Sequence, residues 1–275
     1  MDAAPMTASP IAVEVVTGVC GTFIAPTGDL ITEQIKTYGA HARNELALLR
    51  SLVRPGDCIV DLGAHIGTFT IPLAVAAGPT GALLAIDGNP LAHALLTANV
   101  QINGLGHRIT TRHALLGRVG EFSDGLTNAP GNTGSARFAR SSAGMLAFVS
   151  ARAILAQEGF STPDIIKIDV EGMEGILVED LEPVFTAARP ICYFEVSTAL
   201  RSSGTTAEAL GMRFLRLGYR LFRNEGPRNS STDQFRLVEL PALADERKLF
   251  DCLAIPRDHE RIRDLDCVST TASTV

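Results

Sequence analysis

The sequence predicts an α/β fold of the Rossmann-like kind, a mostly parallel sheet with helices on both faces. Short apolar runs of strand length alternate with segments of helical periodicity, the order that right-handed βαβ units require. A glycine-rich turn, Asp61-Leu62-Gly63-Ala64-His65-Ile66-Gly67, joins the first such run to the helix after it. The later apolar runs end in carboxylates, at the strand ends where open α/β sheets bind their ligands.

The elements follow in order. Residues 1–28 read as an N-terminal extension without a clear period. Within 29–53, Leu46, Leu48, Leu49, Leu52 and Val53 recur at helical spacing, and Pro55-Gly56-Asp57 turns the chain. Cys58-Ile-Val-Asp-Leu62 is a strand buried on both faces, followed by a helix from Phe69 to Ala77 that Gly78-Pro79-Thr80-Gly81 ends. Leu83–Asp87 is a second strand, and Asn89-Pro90 opens a helix to about Asn103. A third strand is expected near Ile109–Ala114. The glycine-rich stretch 117–145 reads as a long loop or an irregular hairpin, of the kind that often serves as a lid. A helix over Ala151–Glu158, a strand over Asp164–Val170, a helix starting after Gly172 and reaching Phe185, and a strand over Ile191–Val196 complete the alternation. A helix over Leu210–Leu217 and strands at Tyr219–Phe222 and Cys252–Ile255 come last. The domain is thus expected over 29–256, with a flexible tail over 257–275 that is Ser/Thr-rich from Val268.

Composition narrows the partners. The chain of 275 residues is 46% hydrophobic and 20% charged, with no Trp, so Leu, Ile, Val and Ala must fill its core. The net charge of −6 and the lack of any Lys/Arg run argue against a phosphate backbone as partner. Five cysteines without a CxxC pair indicate neither a zinc site nor a redox pair and suit a reducing compartment. The first residues lack the basic region of a signal peptide, and no apolar run is long enough to span a bilayer. The expected setting is cytoplasmic, and a homo-oligomer is left open.

The glycine turn carries the cofactor argument. Glycines allow close approach of backbone to ligand, and the helix N-terminus offers unpaired N–H groups. The spacing here is Asp-x-Gly-x-x-x-Gly, not the Gly-x-Gly-x-x-Gly of dinucleotide sites. Asp61 would repel a pyrophosphate but could hold the amine of a methionine moiety, which favours S-adenosylmethionine over NAD. The alternative is a turn whose glycines serve packing alone. Asp87, at the end of the next strand, is placed to accept ribose hydroxyls. In Lys167-Ile-Asp-Val-Glu-Gly172, period-two alternation puts Lys167, Asp169 and Glu171 on one face of a strand end. Asp169 reads as a site residue, while Lys167 and Glu171 could instead form a structural ion pair.

These residues resemble the FkbM family of class I methyltransferases over about residues 29–256. The carriers are Pro55-Gly-Asp57, Asp61-Leu-Gly-Ala-His-Ile-Gly67, Asp87 with Asn89-Pro90, Gly131-Asn-Thr-Gly134, and Ile166-Lys-Ile-Asp-Val-Glu-Gly172 with Glu174. The resemblance implies a seven-stranded sheet with one late antiparallel strand. It also implies an O-methyltransferase that uses S-adenosyl-L-methionine on a hydroxyl of a sugar, glycoside or natural product. By position, Glu45, Asp61, Gly63, Ala64, His65, Gly67, Asp87, Gly88, Asn89, Ala114, Leu115 and Asp169 would bind the cofactor. Asn132, Thr133 and Lys167 would meet the acceptor. Departures are Asp87-Gly88 for the usual Glu-Pro, His65 for Asn, and Met173 where His is frequent.

A sugar hydroxyl is as weak an acid as water, with a pKa of about 15.7, so its methylation calls for a base or a metal. Asp169 is the first candidate base, with Glu171 and Glu195 beside it as catalytic carboxylates. Asp169 and Glu195 could hold Mg²⁺ through oxygen. Two competing readings are an NAD-dependent oxidoreductase and a non-catalytic S-adenosylmethionine-binding protein. A nucleic-acid methyltransferase is disfavoured, because Asp169-Val-Glu-Gly172 stands where an Asn-Pro-Pro-Tyr type motif for flipped bases would be.

Overall fold

The computed structural model describes residues 11–129, 131–244, 249–264 and 267–268. The chain opens with a hairpin, β1 (Val13–Gly18) and β2 (Gly21–Pro26), then α1 (Leu30–Tyr38) and α2 (Arg43–Leu52). The alternating part follows: β3 (Cys58–Leu62), α3 (Thr70–Ala76), β4 (Ala82–Asp87), α4 (Pro90–Ile102) and β5 (Ile109–His113). Then come β6 (Phe122–Ala129), β7 (Asn132–Ser141) and β8 (Leu146–Ala147), which form a small separate sheet. The chain returns to the main sheet with α5 (Ala151–Gln157), β9 (Ile165–Ile168), α6 (Glu174–Asp180), α7 (Glu182–Ala187) and β10 (Ile191–Val196). It closes with α8 (Ala207–Arg216), β11 (Tyr219–Asn224), β12 (Leu237–Leu240), β13 (Phe250–Pro256) and β14 (Cys267–Val268).

The main sheet has the order β14-β12-β11-β13-β10-β9-β3-β4-β5. The strands β10, β9, β3, β4 and β5 run parallel, and β13 inserts antiparallel between β10 and β11. This is the expected Rossmann-like architecture with its late antiparallel strand. The sheet has nine strands where seven were expected, because β12 and β14 extend the β11 edge. Leu237–Leu240 is too short and too interrupted by charge to stand out as a strand before its partner is known.

The side-chain alternation of the central strands explains how a charged site is built into an apolar sheet. On β3, Val60 and Leu62 pack on one face with Leu177, Phe185 and Phe214, while Ile59 packs on the other with Leu46 and Leu73. The second face carries Asp61 of β3, Lys167 of β9, and Tyr193 and Glu195 of β10, because each lies two residues from an apolar neighbour on that face. Register then aligns Asp61 with Lys167 and Lys167 with Tyr193, and Glu195 with Asp251 of β13. Polar groups therefore accumulate on one face, toward the carboxyl ends of the parallel strands.

Two expected boundaries move. The N-terminal hairpin is no loose extension: Val16, Phe23 and Ala25 enter the core, and Asn99 of α4 and Asn103 at its C-cap bond to the backbone of β2. Residues 1–10 lie outside the described residues. Part of the C-terminal stretch is anchored as well, since buried Arg261 pairs with Asp57 at 2.7 Å and donates to the Leu52 carbonyl. The rest of the expected tail, beyond 268, lies outside the described residues. The glycine-rich stretch resolves as a hairpin of β6 and β7 with irregular register, not as a loop.

Candidate active site

The turn between β3 and α3 is shaped by two glycines in the left-handed region. Gly63 has φ +79°, and a Cβ there would sit 1.7 Å from the Asp169 carbonyl oxygen. Gly67 has φ +91° and is packed against Leu96. His65 between them is a non-glycine residue at φ +50°, and its N–H donates to Asp87 Oδ2 at 2.7 Å. The other oxygen of Asp87 accepts from Asn89 N–H at 2.8 Å, and Asn89 caps α4. Burial raises the Asp87 pKa above the ordinary range. Gly63, Ala64, His65, Asp87, Gly88, Asn89, Ala114 and Leu115 all line a single cavity of about 690 Å³. That size and mixed lining suit a nucleoside-containing ligand.

Asp61 and Glu45 do not line the cavity, and neither does Gly67. The Asp61 carboxylate is fully buried, accepting from Thr70 Oγ1 at 2.6 Å and lying 3.3 Å from Lys167 Nζ. It cannot hold a ligand amine, because the sheet and α3 seal it. Glu45 is buried behind the site, accepting from Tyr193 Oη at 2.6 Å, with burial and then Asp251 pushing its pKa up to about 7. Gly67 acts through helix packing alone.

The end of β9 brings the charges together. Lys167 is 3% exposed, so its ammonium needs partners. It lies 3.3 Å from Asp61 and 3.4 Å from Asp169 and donates to the Gly63 carbonyl. Burial opposes its charge, but Asp61 and Asp169 overcome this and hold its pKa above the ordinary range. The alternative Lys167–Glu171 pair does not form; Glu171 pairs instead with Arg137 of β7 at 3.2 Å. Asp169 keeps a depressed pKa because Lys167 and Arg228 outweigh its burial. Glu195 is 95% buried by exposure of 5%, its Oε2 meets no partner, and burial followed by Asp169 and Glu174 pushes it up to about 10. One oxygen each of Asp169, Glu171 and Glu195 lies within 4.8 Å of the others. The backbone after β9 is bent at Glu171 (φ +53°) and pinned by buried Glu174, whose Oε1 accepts from Val170 N–H and Gly172 N–H.

The hairpin closes the cavity from above. Thr133 donates through both N–H and Oγ1 to Asp29 Oδ2, at 2.6 and 2.9 Å. The same Oγ1 lies 2.9 Å from His65 Nε2 and therefore accepts its proton, which leaves Nδ1 of His65 bare, buried and without a partner. Asp29 also caps α1 through Ile31 N–H. Asn132 and Thr133 line the cavity.

Several lining residues belong to no motif. His41, Gln34, Phe69, Arg228 and Asn229 surround the carboxylate end of the cavity. His41 and Gln34 come from the α1–α2 region, and Arg228 and Asn229 from the connection between β11 and β12. Asp29 before a helical segment was a visible capping signal; the others had none. Of the four non-glycine residues with positive φ among the described residues, His65 and Glu171 line the cavity and Ala42 adjoins His41. Backbone strain of this kind gathers at functional sites.

Residues 33–124 match the model of the TRM5/TYW2 methyltransferase domain. The match covers less than half of the chain but contains the glycine turn, Asp87 and the elements around them. With the sheet order described above, it makes the chain a class I S-adenosylmethionine-dependent methyltransferase. It does not show the FkbM family. No curated protein sequence matches the chain. Solved structures similar to it include TYW2 of M. jannaschii in complex with AdoMet, at 14% identity and TM-score 0.42, covering 90% of this chain and 86% of that one. A SAM-dependent O-methyltransferase of Thermotoga maritima has 14% identity and TM-score 0.41, covering 90% and 79%. A Pyrococcus abyssi tRNA (uracil-54, C5)-methyltransferase in complex with S-adenosyl-L-homocysteine has 13% identity and TM-score 0.45, covering 88% and 43%. Likenesses this distant say nothing about the acceptor.

Proposed function

We propose that this methyltransferase acts on a hydroxyl group of a small acceptor, such as a sugar, glycoside or natural product. The observation that carries this reading is the convergence of Asp169, Glu171 and Glu195 in the cavity beside the glycine turn. Bound S-adenosylmethionine supplies an electrophilic methyl on a sulfonium. Asp87 and the Gly63–His65 backbone would hold its nucleoside part, and the apolar wall of Leu115, Phe138 and Phe148 would take the base.

The three carboxylates also fit a divalent cation. Their oxygen donors suit Mg²⁺, and the orphaned Oε2 of buried Glu195 lacks the partner that a buried polar atom needs. Mg²⁺ held by Asp169, Glu171 and Glu195 would act as a Lewis acid on the acceptor oxygen. Asp169, tied to Lys167 at 3.4 Å, serves better as ligand and orienting group than as the base expected from the sequence.

The TRM5/TYW2 match raises the alternative of a tRNA acceptor. The charges in the cavity favour a neutral one. Each of its cations has a carboxylate partner: Lys167 with Asp61 and Asp169, Arg137 with Glu171, Arg140 with Glu121, and Arg228 with Asp251. Cations neutralised in this way contribute little to holding a phosphate backbone.

The test is transfer of tritiated methyl from S-adenosylmethionine, with and without Mg²⁺, to a panel of glycosides, phenols and bulk tRNA. Label in a hydroxyl compound, stimulated by Mg²⁺ and lost in Asp169→Ala, is the expected result. Label in tRNA alone would overturn the acceptor class.

A further inference from the structure

The carboxylate end of the cavity contains an imidazole whose tautomer is set by its neighbours. His41 Nδ1 lies 2.5 Å from Gln34 Oε1, and Gln34 Nε2 donates to Asn229 Oδ1 at 3.2 Å. As the amide stands, Gln34 presents its oxygen to His41 Nδ1, and an oxygen can only accept. Nδ1 therefore carries the proton, and Nε2 carries the lone pair. Nε2 makes no hydrogen bond among the described residues and is not one of the sealed, unpartnered atoms, and His41 lines the cavity. Phe69 holds the ring edge-on, with ring centroids 6.1 Å apart. His41, His65, Lys167, Asp169 and Arg228 line the same cavity.

The other groups there are less suited to receive a proton. Asp169 is tied to Lys167, and Glu171 to Arg137. Glu195 is 5% exposed and is one of the three carboxylates that fit a cation, and the bare nitrogen of His65 is sealed.

We propose that His41 Nε2 accepts the hydrogen bond of the acceptor hydroxyl and takes its proton as the methyl is transferred, with Gln34 and Asn229 as positioning residues. The inference rests on the hydroxyl-acceptor reading. In the step, the acceptor oxygen forms its bond to the methyl carbon as the sulfur–methyl bond breaks, and the electron pair of that bond stays on sulfur. The O–H proton passes to Nε2. Burial, with Arg228, keeps His41 neutral, with its pKa down at about 3, so its lone pair is free at every working pH. A weak base suffices, because the oxonium that unassisted displacement would leave is a far stronger acid than an imidazolium.

Two measurements test this. The first is ¹⁵N-histidine NMR of the protein saturated with S-adenosylhomocysteine, with His41 assigned by the peaks lost in His41→Gln. The Nδ1–H tautomer is expected, with Nε2 in the unprotonated range. That nitrogen should shift upfield on addition of methyl glucoside, glycerol or catechol as hydroxyl probes. Gln34→Ala should mix the tautomers. An Nε2–H tautomer, or no response to any probe, overturns the proposal whether or not an acceptor is known. The second is kinetics with the compound labelled in the acceptor panel. His41→Phe should lower kcat about 10²-fold or more, in the range of general-base removal, with S-adenosylhomocysteine affinity unchanged. His41→Gln, which keeps an acceptor but cannot hold the proton, should retain KM and lose kcat. Unchanged kcat in both variants overturns the role. If tRNA alone is labelled, the hydroxyl reading fails, while the NMR result still reports the imidazole.

Discussion

The cavity has two walls built on opposite principles. The lower wall is the strand-end turn of β3, β4 and β9, where backbone meets backbone with no slack: Gly63 lies against the Asp169 carbonyl, and all of β9 and the last four residues of β3 are buried. The upper wall is the hairpin of β6 and β7, which is joined to the rest by the Asp29–Thr133–His65 bonds and the Arg137–Glu171 pair. One wall is held by steric exclusion in a parallel sheet, the other by a few polar bonds at its tip. Errors in the first should unfold the protein or abolish cofactor binding, whereas errors in the second should alter acceptor handling.

The largest effect should come from Gly63→Ala. The methyl would collide with backbone at a positive φ, so neither a rotamer change nor a small shift relieves it. We expect loss of at least 4 kcal/mol of stability, or failure to fold, measured by thermal unfolding. Lys167→Met should come next. It leaves Asp61 charged and sealed in the sheet, a change of about 3–5 kcal/mol. A loss below 1 kcal/mol would mean that Asp61 had found another proton or partner.

Glu174 tests the same wall through pH. Burial pushes it up to about 7, so between about pH 4.5 and 7 the folded state keeps a proton that the unfolded chain gives up. The folded state then binds more protons, and stability falls as pH rises through that window, by up to about 1.4 kcal/mol per pH unit. In Glu174→Gln this part of the pH dependence should vanish; an unchanged profile would show that Glu174 is ionised in the fold. Least costly should be Thr133→Val at the hairpin tip, at about 1–2 kcal/mol. Acceptor turnover should fall more than S-adenosylhomocysteine affinity, and the same order holds for Asn132→Ala. Equal loss of both would mean that the hairpin serves the cofactor as much as the acceptor.

The lower wall was legible because its physics is local. A strand, a glycine turn and a helix follow one another within a few residues, so Gly63, His65 and Asp87 could be placed from spacing alone. Asp169, Glu171 and Glu195 were legible because charge at the end of an apolar strand demands an explanation. Asp61 misled for a related reason. Its position in the motif was plain, but whether its carboxylate faced ligand or Lys167 depended on the register of β3 against β9. Met173, read as a replacement near the site, does line the cavity.

The sequence by itself determined the alternation of strands and helices, the glycine turn proposed to hold the cofactor, and the carboxylates at the strand ends. Each of these follows from side-chain period and from backbone restrictions that act over a few residues. The tertiary structure alone decided the partners. It paired Lys167 with Asp61 and Asp169, brought Asn229 within reach of Gln34 some 195 residues away, and folded the glycine-rich stretch over the site. A buried charge must have a partner and a buried donor an acceptor, but which residue meets that need is set by strand register and loop packing.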